Sequence, residues 1–141
     1  MSINKKIMEQ ITKLINIELL IGVQPSELVD NIFFTNYKNI NLSKTKKNII
    51  MEIIYVEKHL DTELDVSLNY FYDLNKNVVL ISEKIGEEET ILWSRKEKEK
   101  EILFSINSLL ENLDVIERNQ IIETFPKKYK NKLTKKFIIA A

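Results

Sequence analysis

Between Leu64 and Trp93, apolar and polar positions alternate as a half-buried strand requires. Leu64, Val66, Leu68, Tyr70 and Tyr72 are interleaved with Asp65, Ser67, Asn69, Phe71 and Asp73, which sets one row of side chains on each face. Leu74-Asn75-Lys76-Asn77 breaks the run, and Val78 to Ile81 resumes it. Gly86-Glu87-Glu88-Glu89 breaks it again before Thr90 to Trp93. The pattern predicts an antiparallel meander.

Helical spacing flanks it. Ser2 can cap a helix whose apolar face is Ile3, Ile7, Ile11, Leu14, Ile15 and Ile21, with Gly22 just past its end. Pro25 opens a short second helix through Leu28, Val29 and Ile32. A polar connector follows from Thr35 to Asn48. Residues 49–56 (IIMEIIYV) fit either period. A helix starting at Ser43 would put Lys44, Lys46 and Lys47 at the positive end of its dipole and Glu57 on its apolar face. The strand is therefore preferred. It would turn at Asp61-Thr62 and bring Met51, Ile53 and Tyr55 beside Tyr72, Tyr70 and Leu68.

After the meander, Ser94 and Glu97 form a capping box ahead of Ile102, Ile106, Leu109, Leu110 and Leu113. Asp114 and Glu117 repeat it, and Pro126 ends that helix. The expected fold is α+β in a single domain, residues 1–141. Helices fill residues 1–34, a three- or four-stranded antiparallel β-meander fills 49–93, and C-terminal helices in 94–141 pack on the sheet.

Composition changes this picture little. The chain has 141 residues, no net charge and no cysteine. Disulfides, thiolate nucleophiles and cysteine metal sites are thereby excluded. Apolar runs stop at four or five residues, short of a membrane span, and the first residues carry no signal-peptide core. A cytoplasmic protein is expected. Ile (22), Lys (19) and Asn (14) dominate, a bias that suits an AT-rich gene of a bacterium, phage or mobile element. Charge is unevenly spread. Residues 49–94 hold three lysines and ten acids, net −7, between flanks of +3 and +4.

Several stretches invite a chemical assignment. Residues 14–33 have the outline of a helix-turn-helix, yet its second helix carries Glu27 and Asp30 and no basic residue, which phosphate contact requires. Asp73-Leu74-Asn75-Lys76-Asn77 opens like a calcium loop, but Val78 stands where glycine is needed and Lys84 where glutamate is needed. His59 lies among Glu57, Asp61, Glu63 and Asp65, too dispersed along a hairpin for a metal site. Arg95 to Glu101 alternates in sign and suits a solvated helix face. No metal, no cofactor and no catalytic residues are assigned, because no phosphate loop, nucleophile elbow or zinc motif occurs.

Two surfaces remain. One is the acidic sheet segment. There Glu57, Asp61, Glu63, Asp65, Asp73, Glu87, Glu88 and Glu89 would meet a basic protein partner, with Phe71 or Tyr72 as apolar anchor. The other is the tail, where Lys127, Lys128, Lys130, Lys132, Lys135 and Lys136 surround Tyr129, Leu133 and Phe137. It could bind nucleic acid or an anionic membrane surface, or it could dock its apolar stripe and leave its lysines in water. The first surface makes a small inhibitor or immunity protein against a basic toxin or nuclease the favoured function. A nucleic-acid-binding regulator is the alternative, and an enzyme built on scattered carboxylates is the third.

Overall fold

The structure is a computed structural model that describes residues 3–130 and 132–133. The chain forms two compact units, Met1–Leu19 with Glu97–Ala141, and Leu20–Lys96.

The second unit is built on a five-stranded antiparallel sheet in sequence order: β1 (Tyr37–Lys44), β2 (Ile49–His59), β3 (Thr62–Tyr72), β4 (Val78–Ile85) and β5 (Glu88–Ser94). The α+β class and the antiparallel meander hold, with five strands in place of three or four. The added strand is β1, inside the stretch expected to be a connector. By register Tyr37, Ile40, Leu42 and Lys44 fall on the core-face row, only three of them apolar, and a bulge between Tyr37 and Asn39 breaks their alternation. An edge strand with one covered face and two asparagines carries the composition of a loop.

Residues 49–56 are strand. The β2–β3 register differs from expectation by two residues: Ile49 faces Tyr72, Met51 faces Tyr70 and Ile53 faces Leu68. The turn is Leu60-Asp61, not Asp61-Thr62, with Leu60 at φ 54. A two-residue shift preserves which face each side chain takes, so the core row survives the error. Met51, Ile53, Tyr72 and Val78 are buried with Leu28, and Val23, Ile40, Leu68, Tyr70 and Trp93 pack around them.

The cover of that core comes from residues 20–34, which contain α2 (Pro25–Leu28) and a 3-10 turn over Val29–Phe33. Gly22 does not cap a helix. It has φ +85, and a Cβ there would lie 2.5 Å from Val78 Cγ2. Glycine is needed for this close approach, in which Val78 N donates to Ile21 O at 2.8 Å. Gln24 Nε2 donates to Gly22 O and Lys76 O, and the Tyr72 hydroxyl donates to Val23 O at 2.8 Å. Arg95 Nε donates to Val78 O at 2.9 Å, and its Nη2 donates to Leu20 O.

The first unit is helical, with α1 (Ile3–Leu19), α3 (Arg95–Leu110, from Glu97 onward) and α4 (Val115–Ile122). Ile7, Leu14, Leu103, Ile106, Leu110, Ile122, Phe125, Tyr129 and Leu133 form its buried core. α1 stops at Leu19, two residues before the expected last apolar position. Asp114 caps α4 as expected, its carboxylate accepting from Glu117 N at 2.8 Å. Helical turns return at 127–130 and 132–133 beyond Pro126. Among the described residues no helix is long and apolar enough to cross a membrane. The proposed cap at Ser2 lies outside the described residues.

Candidate functional site

Antiparallel connectivity puts the β2–β3 and β4–β5 turns at the same end of the sheet. That end gathers Glu57, Asp61, Glu63, Asp65, Glu83, Glu87, Glu88 and Glu89 against Lys38, Lys58 and Lys84. Some of this charge is paired locally. Lys38 meets Asp65 at 3.0 Å, Lys58 meets Glu63 at 3.9 Å, and His59 meets Glu57 at 3.9 Å. All three contacts are solvent-exposed and therefore weak. Among the described residues, Asp61, Glu83, Glu87, Glu88 and Glu89 make no ion pair.

The two hairpin tips share a geometry and differ in chemistry. Each has two turn residues with positive φ at the first: Gly86 at φ 61 and Leu60 at φ 54. Glycine is the ordinary choice there. Leucine costs about 1–2 kcal/mol in that conformation, and Leu60 is fully exposed. An exposed apolar side chain held at a tip against that cost is a candidate contact residue.

Aromatic side chains stand behind the tips on the core face. Tyr37 and Tyr55 stack with ring centroids 5.7 Å apart, and Phe34 meets Tyr37 edge-on at 5.8 Å. Partial burial raises the Tyr55 pKa, and Glu83 and Glu57 beside it raise it further. The arrangement is an aromatic patch, Phe34 exposed and Tyr37 and Tyr55 half-buried, beside Glu57 and Glu83, which suits a cationic or amphipathic protein surface.

Three of the expected partner-binding residues belong elsewhere. Phe71, Tyr72 and Asp73 lie at the opposite end of β3. Six residues separate Asp65 from Phe71, about 20 Å at strand rise. Phe71 is half-buried on the other face, opposite Ile50 and Leu80. Tyr72 is 2% exposed, so it is a core residue and no surface anchor. Burial raises its hydroxyl to a pKa of about 12, with Tyr70 and Glu27 adding to the effect.

Asp73 closes the β3–β4 turn. Its Oδ1 accepts from Asn75 N and Asn77 N, both at 2.9 Å, and its Oδ2 accepts from Asn77 Nδ2 at 3.2 Å. Burial raises its carboxyl, but the hydrogen bonds from Asn77 and Asn75, with Arg95 nearby, outweigh that and hold the pKa below 3.8. The calcium-like spacing is thus a turn that solvates its own backbone. Among the described residues, no three His, Asp or Glu side chains gather as a metal site would require.

The presumed recognition helix is one α-turn followed by the 3-10 turn. In the tail, Tyr129 and Leu133 are buried, and the Tyr129 hydroxyl donates to Glu18. Lys128 lies 3.7 Å from both Glu18 and Glu99, and Lys130 pairs with Glu123. Lys127 and Lys132 are exposed. Lys135, Lys136 and Phe137 lie outside the described residues.

Pattern reading missed Leu60, Tyr37, Tyr55 and Glu83. The parity of β2 and β3 places Tyr55 on the core face, but its neighbours follow only once β1 is recognised as a strand. Comparison of the chain with protein-family models, with curated proteins and with solved structures finds no match.

Proposed function

We propose that the chain is a non-enzymatic protein-binding module, and most concretely an inhibitor or immunity protein that neutralises a basic toxin or nuclease. The observation that carries this reading is the acidic end of the sheet. Eight carboxylates stand there against three lysines, around the exposed Leu60 and the Phe34–Tyr37–Tyr55 patch. A field of one sign speeds encounter with an oppositely charged protein. An exposed apolar tip and the aromatic patch supply contact area once the partner arrives. The tail lysines support the nucleic-acid alternative less well, since Lys128 and Lys130 are engaged with carboxylates of their own unit.

The experiment is retention of proteins from the host's lysate on the immobilised chain, washed at low and at high salt. One basic protein should be held in stoichiometric amount at high salt, and its activity should fall in the presence of the chain. Retention of nucleic acid alone, lost at high salt, would overturn the reading in favour of the lysine tail.

A further inference from the structure

The opposite end of the sheet carries a second surface, along the β1 edge. β1 has one neighbour, β2. Among the described residues, no backbone bond outside that pairing engages positions 38–44. Its central stretch, Asn39 to Ser43, is uncharged. Beside it runs an apolar groove between the edge strand and the 3-10 turn, lined by Pro25, Val29, Ile32, Ile40, Leu42 and Met51. Leu42 is 61% exposed, and Phe33, on the same turn, is 85% exposed. At the end of the strand stand Lys44, Lys46 and Lys47, all exposed and without an ion-pair partner among the described residues.

We infer that β1 accepts an extended peptide segment of another protein as a sixth strand. Alternate apolar side chains of the segment would enter the groove, and its acidic end would lie against Lys44, Lys46 and Lys47. Three features select this occupant. Open backbone donors and acceptors call for an extended chain. Ile40 and Leu42 line the groove at the two-residue period of a strand, which matches apolar side chains at every second position of an added strand. The lysine cluster takes carboxylates. A second copy of the chain fits worse: antiparallel pairing of β1 with itself about Asn41 would set Lys38 directly against Lys44, and like charges opposed across strands destabilise the pair. This surface is separate from the acidic tips, so its failure would leave the proposed function standing.

The test is a displayed library of random twelve-residue peptides selected on the intact protein. Enriched sequences should alternate apolar and polar residues and carry acidic residues at one end. A synthetic copy should slow amide exchange across residues 39–43. Methylating every second backbone nitrogen of that peptide should abolish binding. Leu42→Arg and the triple change Lys44→Glu, Lys46→Glu, Lys47→Glu should each weaken it by roughly tenfold or more. These positions are exposed, so the variants keep the fold, which Trp93 fluorescence verifies. An empty selection would overturn the inference. So would peptides indifferent to both variants, preference for an oligonucleotide over peptide at low salt, or self-association of the free chain through β1.

Discussion

The two ends of the sheet are made of the same strands and do opposite things with their polar groups. At the end that holds the β3–β4 turn, the side chains around that turn are spent on the protein itself, while Lys44, Lys46 and Lys47 at the end of the edge strand face water. Arg95 reaches the carbonyls of Val78 and Leu20, Gln24 bridges Gly22 and Lys76, and Asp73 holds its own turn. At the end that holds Leu60 and Gly86, all the carboxylates but the partly buried Glu83 are exposed, with weak local pairs or none. A charge that holds a backbone group is expensive to remove, while a charge that faces water costs the fold little. The two ends therefore respond differently to substitution.

The largest effect falls at the fastened end. Gly22→Ala should destabilise the sheet unit by about 3 kcal/mol, from positive φ and overpacking together. Chemical denaturation followed by Trp93, the single tryptophan, measures it. Arg95→Ala comes next, at about 2 kcal/mol, because two carbonyls lose a charged donor. Arg95→Lys should recover only part of this, since one ammonium replaces a planar fork.

Tyr72→Phe should cost about 1 kcal/mol at neutral pH through loss of the bond to Val23 O. Its clearer signature is at alkaline pH. The folded-state pKa of Tyr72 is raised from 10.0 to about 12, so its contribution is complete below pH 10 and is lost as pH rises toward 12. Denaturation midpoints between pH 9 and 12 should fall less steeply in the variant.

At the displayed end the sign reverses. Leu60→Gly should stabilise the protein by about 1 kcal/mol, because glycine adopts the positive φ that leucine strains to reach. Partner affinity should fall at the same time, which separates strain kept for binding from strain without use. Smallest of all, Glu87→Lys, Glu88→Lys and Glu89→Lys together should change stability by no more than about 0.5 kcal/mol. A larger loss would mean that these carboxylates hold the fold and would erase the distinction between the ends.

Much of this was legible in the chain. Period-two alternation carried the meander, and parity carried the core face even where the register was two residues off. The capping signal at Asp114 marked a helix start. What escaped depended on long-range geometry. β1 is polar because it is an edge, and only its pairing with β2 distinguishes it from a loop. Gly22 looks like a helix terminator locally, whereas its use is an approach to Val78, 56 residues away in sequence. The acidic residues were visible as a composition shift, but their sorting was not. The turn at Leu60-Asp61 and the reversal at Gly86 bring eight of them to one end, while Asp73 is left at the other.

The measurement that bears most directly on this account is the association rate with the captured partner across a range of salt. It compares the native chain with the chain bearing Glu87→Lys, Glu88→Lys and Glu89→Lys. The native rate should fall steeply as salt rises, and at low salt the variant should associate about tenfold more slowly with little change in dissociation. Equal rates and equal salt dependence for the two proteins would contradict it, because the acidic end would then play no part in encounter.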